Sequence, residues 1–207
     1  MQQLFVAGID TNAGKTIVSA ILVEALKADY WKPIQAGDLD NSDTLKVASL
    51  ISNEQTVLHP EAYRLAIAAS PHIAAEKEGI AIDVNSIKIP ATQNHLIIEG
   101  SGGLLVPVNN DFLIIDMIKN LGVEVVLVSR NYLGSINHTL LSSLALKQYG
   151  IKVKGIIFNG ATREGTESII LERTGYKLLG RVNEETTFDK TTILRYAAQF
   201  SNTLNDK

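Results

Sequence analysis

The sequence predicts an α/β fold, a mainly parallel β-sheet with helices on both faces. Three observations predict it. Short runs of apolar, largely β-branched residues recur along the 207 residues, and runs apolar on both faces suit strands covered from both sides. Amphipathic segments with helix start and stop signals lie between them, and alternating strands and helices build parallel sheets. The first apolar run leads through a glycine-bearing turn, "GIDTNAGKT" (8–16), straight into a helical pattern.

The elements follow in order. "LFVAG" (4–8) reads as the first strand. The segment 15–28 is apolar almost all round, which predicts a well-buried helix. "YWKP" (30–33) reads as a short strand. A helix over 42–51 starts at Asn41-Ser42-Asp43, good capping chemistry. A helix over 71–78 follows Ser70, with Pro71 at N1, where its missing N–H costs nothing. "HLIIEG" (95–100) is a strand. A helix over 114–121 stops before Gly122 and gives way to the strand "VEVVLVSR" (123–130). A helix over 136–149 stops before Gly150 and is followed by "VKGIIFNG" (153–160). A helix over 164–174 stops before Gly175, and glycine past the last turn is a common helix end. "YKLLGRV" (176–182) is the last strand. With no repeats, linkers or low-complexity segments, 1–207 is expected to form one domain.

Composition narrows the function. The chain has no cysteine, which excludes disulfides, thiolate metal sites and a cysteine nucleophile. Formal net charge is −3 and basic residues are scattered, so neither nucleic acid nor a membrane surface is an expected partner. The first ten residues carry no basic, apolar signal pattern, and no apolar stretch is long enough to span a bilayer. A cytoplasmic location is expected.

The strand–turn–helix context makes 8–16 a phosphate-binding loop of the P-loop NTPase kind, although its glycine stands at Gly8 where the common spacing would place it at Ile9. Backbone N–H groups at a helix N-terminus hold phosphate. Lys15 would reach the terminal phosphates and Thr16 would ligate Mg²⁺. A Mg²⁺–nucleotide site takes one or two carboxylates besides. Glu99, at a strand end before Gly100-Ser101-Gly102, suits that role, the alternative being a solvated acid. Asp43 reads equally as a metal ligand or a helix cap. Lys32, at a strand end on the same sheet edge, could neutralise charge during phosphoryl transfer, or be a solvated surface lysine.

Six blocks, in order along nearly the whole chain, resemble the dethiobiotin synthetase family: "GIDTNAGKT" (8–16), "KPIQAG" (32–37), "NSD" (41–43), "SPHIA" (70–74), "EGSGG" (99–103) and "LGSINHTLL" (133–141). That family's loop also carries its glycine one place early. The resemblance implies ATP-dependent carboxylation of 7,8-diaminononanoate, through a carbamate and a carbamic-phosphoric anhydride, to the cyclic urea dethiobiotin. It implies that Lys15 and Lys32 handle carbamate and γ-phosphate, that Thr11 completes the catalytic set near the diamine and carbamate, and that Mg²⁺ is held by Thr16, Asp43 and Glu99. ATP would meet Asn12, Ala13, Gly14, Lys15, Thr16, Ile17, Asp43, Glu99, Gly100, Ser101 and Gly102, with Asn159 reading adenine. Substrate would meet Thr11, Lys32, Ala36 and Ser70, with Ser70 reading first as the cap of the helix that follows it. Leu133, Gly134, Ser135 and Asn137, at a helix start, would hold the substrate carboxylate from the second subunit of a homodimer. His72 and His138 are expected to be structural.

The chain departs from the family at Asn12, often Glu there, and at Ala36, often Ser or Thr. "GRVNEE" replaces the usual G-x-I-P, which leaves Asn183–Glu185 unassigned at the nucleotide edge. The segment 83–94 is short for the helix expected there. The alternative function is a nucleotide-switch ATPase of the partition or septum-placing kind. Those proteins carry a second lysine at the loop's start, and positions 8 and 9 offer none. An amidating synthetase would need a cysteine nucleophile, and a nucleotide-binding paralogue without activity would not need Lys15, Lys32, Asp43 and Glu99 together.

Overall fold

The structure, a computed structural model, describes residues 1–205. Its strands are β1 (Gln3–Gly8), β2 (Asp29–Trp31), β3 (Ile34–Ala36), β4 (Leu58–His59), β5 (Tyr63–Leu65), β6 (Leu96–Gly103), β7 (Glu124–Arg130), β8 (Val153–Asn159) and β9 (Leu178–Val182). Its helices are α1 (Lys15–Leu26), α2 (Asp43–Leu50), α3 (Pro71–Glu78), α4 (Ile114–Leu121), α5 (Ser135–Gln148), α6 (Thr166–Thr174) and α7 (Lys190–Asn205). Among the described residues, β4-β2-β6-β1-β7-β8-β9 form one sheet with every pairing parallel. A small parallel pair, β3 with β5, stands beside it.

The strands are apolar throughout because both faces are covered. Along β1, Phe5 and Ala7 pack with α3, α4, α5 and α6. Leu4 and Val6 pack with α1, α2 and α7 on the other face. That alternation is the two-residue period of a strand, with each half finding a helix layer. Helix α1 is buried from Val18 to Val23, as its all-round apolarity requires.

Several expected boundaries move by one to three residues. Helix α1 stops at Leu26 rather than 28 because Lys27 takes a left-handed conformation with φ 49° and returns its N–H to Glu24 O. Strand β2 ends at Trp31, so Lys32 begins the loop instead of sitting inside the strand. Residues 83–94 hold only a 3₁₀ turn at Val84–Ser86, capped by Asp83 Oδ1 accepting from Asn85 N. The helix absent from the sequence reading is α7. Ile193, Tyr196, Ala197, Phe200 and Leu204 recur at helical spacing and are all buried, and Asp189 Oδ1 accepts from Thr192 N at 2.8 Å to start it. No helix among the described residues is long and apolar enough to cross a membrane.

Candidate active site

The site forms at the C-terminal edge of β1, β6 and β2, neighbours in the sheet. In open parallel sheets this is the edge that binds ligands. Residues 9–14 arch back over the end of β1. A Cβ on Gly8 would lie 2.8 Å from Asp10 O and 2.9 Å from Ala13 Cβ. The tight return therefore needs its glycine at position 8 and leaves position 9 free to carry Ile9. At the other end Gly14 has φ 93°, and a Cβ there would collide with Asn159 Nδ2. Asn159 donates to Ala13 O at 2.8 Å and so ties β8 to the loop. The first N–H groups of α1 have no partner within the helix and point out of its N-terminus.

Two lysines and two carboxylates converge below this loop. Lys32 Nζ lies 2.7 Å from Asp43 Oδ2 and 3.4 Å from Glu99 Oε1, with Lys32 and Glu99 both buried. Glu99 Oε1 also accepts from Thr16 Oγ1 at 2.8 Å, and Glu99 Oε2 accepts from Tyr30 O–H at 2.9 Å. Lys15 Nζ donates to the carbonyls of Asp10 and Thr11, at 3.0 and 3.2 Å. Burial, opposed by the Glu99 carboxylate and aided by the Lys32 cation, pulls the Lys15 ammonium down to about 8. Burial also works against charge on Lys32, yet Glu99 and Asp43 prevail and hold it above the usual lysine range. Asp43 is raised by burial and lowered more by Lys32, so it stays below the usual carboxylate range.

Local structure frees Asp43 for this. Ser42 caps α2, its side chain accepting from Leu45 N, so the alternative of Asp43 as the cap is excluded. Gln35 Oε1 accepts from Asp43 N at 3.3 Å, while Gln35 Nε2 donates to Gly37 O at 2.8 Å. Lys46, one turn along α2, lies 2.9 Å from Asp38 and 3.8 Å from Asp43. Three ammonium groups, Lys15, Lys32 and Lys46, thus stand among three carboxylates, Asp38, Asp43 and Glu99.

A cavity of about 830 Å³ brings together Thr11, Asn12, Gly14, Lys15, Thr16, Ile17, Lys32, Ala36, Asp43, Ser70, Glu99, Ser101 and Gly102. Ser70 stands at the start of α3 without a side-chain capping bond, and Ser101 Oγ donates to Ile34 O at 2.5 Å, tying β6 to β3. Gln35, Lys46 and Ser49 also line the cavity; sequence reading missed all three, although Gln35 lies inside "KPIQAG" and Lys46 one turn after Asp43. Tyr30 was missed because a tyrosine in a strand reads as core. Other expected residues lie elsewhere. Ala13 is buried in the core under the loop, and Gly100 packs on Phe5. Asn159 lies behind the loop, on the β8 side. Leu133, Gly134 and Asn137 line a separate cavity of about 470 Å³ with Arg163, and Ser135 is buried beside them.

The family described as "AAA domain" matches residues 2–192. ATP-dependent dethiobiotin synthetase of Cytophaga hutchinsonii is 49% identical over 200 residues, covering 96% of this chain and 97% of that protein. The enzyme of the same name from Christiangramia forsetii is 52% identical over 196 residues, covering 95% and 94%. Among solved structures, a ParA family ATPase from Chlorobium tepidum matches at TM-score 0.58 and 14% identity, covering 95% of this chain and 98% of that one. The septum site-determining protein MinD from Pyrococcus horikoshii matches at TM-score 0.58 and 12% identity, covering 99% and 97%. At that identity the structural likeness speaks for the P-loop fold alone. With half of its residues shared across almost its full length, the chain belongs to the ATP-dependent dethiobiotin synthetases, a family of P-loop ligases.

Proposed function

We propose that residues 1–207 act as a single ATP-dependent ligase domain that carboxylates 7,8-diaminononanoate with CO₂ and closes the cyclic urea dethiobiotin. The observation that carries this is one cavity holding the phosphate loop, Lys15, Lys32, Asp43 and Glu99 together. One amine adds to CO₂ and loses a proton, giving a carbamate. A carbamate oxygen attacks the γ-phosphorus and ADP leaves. The second amine attacks the carbamic-phosphoric anhydride carbon, loses a proton, and expels phosphate. These steps carry or develop negative charge beside the nucleotide's phosphates, and fixed cations in the cavity stabilise that charge. In this reading Lys15 meets the β- and γ-phosphates and Lys32 the carbamate and the transferred group, and Thr11 lines the same cavity. Ala36 and Ser70 line the wall left for the diamine chain.

The donor set fits Mg²⁺: the Thr16 hydroxyl and the Asp43 and Glu99 carboxylates are hard oxygen ligands, in the number Mg²⁺ takes beside phosphates. Bound there, Mg²⁺ would neutralise phosphate charge. In the structure Lys32 and the two carboxylates compensate one another.

The α5 region supports a homodimer. Leu133, Leu141 and Leu144 are 90%, 55% and 62% exposed and with Ile136 form an apolar stripe at helical spacing. The same helix start forms with Leu133, Ile136 and Leu140 a mainly apolar pocket that carries one guanidinium, Arg163, and a helix N-terminus beside a cation suits a carboxylate. In this reading it holds the diaminononanoate carboxylate of the neighbouring subunit's site. The reading places the protein in the cytoplasm, with small molecules as its substrates. The mechanism is tested with C¹⁸O₂ in unlabelled water. Phosphate released in a single turnover should carry one ¹⁸O, and unlabelled phosphate beside labelled dethiobiotin would dismiss the anhydride.

A further inference from the structure

The two oxygens of the buried Glu99 carboxylate meet different surroundings. Glu99 pairs in register with Val6 of β1, which places it on the sheet face that carries α1, α2 and α7. Oε1 accepts from Thr16 Oγ1 at 2.8 Å and lies 3.4 Å from Lys32 Nζ. Thr16 and Lys32 both line the cavity. Oε2 accepts from Tyr30 O–H at 2.9 Å. Tyr30 is fully buried and belongs to the apolar layer that includes Leu4, Val6 and Ile97.

The sheet makes this pairing possible. Tyr30 of β2 is in register with Ile97 of β6, and paired residues share a face. Glu99 stands two residues further along that face, an advance of about 6.6 Å. A tyrosine laid along the strand spans it. A carboxylate can only accept, so the phenol must donate, and its proton is committed to Oε2. Turning Oε2 away would leave a buried acceptor without a partner, which holds the carboxylate in one orientation. Glu99 therefore offers one oxygen, Oε1, toward Thr16 and the cavity.

Divalent cations differ in what they ask of a carboxylate. Mg²⁺ demands near-ideal octahedral geometry, and the two oxygens of one carboxylate subtend too narrow an angle for two corners of an octahedron. Ca²⁺ takes about six to eight oxygens in flexible geometry and accepts carboxylates through one oxygen or both. We infer that Tyr30 is a positioning residue for metal choice: by holding Glu99 Oε2 it restricts Glu99 to binding through one oxygen, which favours Mg²⁺ over Ca²⁺. Tyr30 acts through Glu99 and touches neither metal nor nucleotide. The inference rests on the proposed ligase reading, in which Thr16, Asp43 and Glu99 hold the metal.

The test is calorimetric titration of ADP into the full chain at graded Mg²⁺ and, separately, graded Ca²⁺. It yields the half-saturating concentration of each metal, corrected for the metal's own affinity for ADP. The native protein should need about tenfold less Mg²⁺ than Ca²⁺. Tyr30→Phe removes one oxygen and keeps the ring in the core. It should raise the Mg²⁺ requirement about tenfold and leave the Ca²⁺ requirement unchanged or lower, because the freed Oε2 becomes available to the larger ion. A purely structural role would move both metals by the same factor, and an unaltered ratio would overturn the inference. Equal use of Mg²⁺ and Ca²⁺ by the native protein would overturn it without any variant. Glu99→Gln separates this failure from a failure of the ligase reading. If Glu99→Gln leaves both titrations in place, Glu99 is not a ligand and the metal set falls with the inference. If it weakens both metals while Tyr30→Phe keeps the native ratio, the role of Tyr30 alone falls.

Discussion

At the scale of single residues, the chemistry depends on keeping buried charges matched. Lys32 is the only cation within salt-bridge reach of Glu99 among the described residues. Lys32→Ala should therefore lower kcat about a hundredfold and cost about 3 kcal/mol of stability through the unpaired carboxylates, while nucleotide Kd stays nearly constant. Single-turnover rates, denaturant unfolding and calorimetry separate the three effects, and an equal loss of ATP affinity would move Lys32 out of its assigned role. Tyr30 turns Glu99 by holding Oε2, so that Oε1 faces Thr16 and the cavity. Tyr30→Phe should leave Oε2 without a donor at a cost of about 1–3 kcal/mol and raise the Mg²⁺ concentration at half-maximal ADP binding. An unchanged Mg²⁺ titration would remove Tyr30 from the site. Lys15, Thr16 and Asp43 were legible from sequence because they open helices, Lys32 because it follows a short strand, and Glu99 because it is an acid in an apolar run, although β6 runs on past it to Gly103 instead of ending there. Tyr30 and Gln35 were not, because their roles lie in which atom faces which partner, and spacing carries no such information.

At the scale of elements, the loop and the sheet's two ends divide the work. Gly14→Ala should abolish nucleotide binding through its φ of 93° and the clash with Asn159, which calorimetry checks directly. The opposite end of the sheet is held by Asp29, which accepts from Val57 N, Thr92 Oγ1, Asn94 Nδ2 and His59 Nε2. Burial raises the Asp29 carboxyl, and these hydrogen bonds, led by Thr92, more than offset it and hold it below the usual carboxylate range. A carboxyl lowered on folding stabilises the protein above its unfolded value near 4 and loses that contribution as pH falls through its folded value. Asp29→Asn should thus destabilise at pH 7 and lose most of that difference at pH 2–3. Equal destabilisation at both pH values would assign the effect to packing. The core strands and six helices were legible because their apolar runs and caps agree. Strands β3, β4 and β5 are too short to show a period. Helix α7 hid behind threonines, serine and asparagine, poor helix formers, although Ile193, Tyr196, Phe200 and Leu204 kept its apolar face.

At the scale of the whole molecule, fold and family give different kinds of information. The ParA family ATPase and MinD share the overall fold at 12–14% identity, whereas the dethiobiotin synthetases share half the residues. The exposed α5 stripe places the assembly prediction here: Leu144→Lys should turn a homodimer into a monomer in sedimentation, with KM for diaminononanoate rising and ADP affinity holding. A native monomer would dismiss the shared site. The central claim is tested by incubating the protein with diaminononanoate, bicarbonate, Mg²⁺ and ATP and reading the products by mass spectrometry. Dethiobiotin with one equivalent each of ADP and phosphate is the predicted result; ATP binding at normal affinity with no dethiobiotin would contradict it.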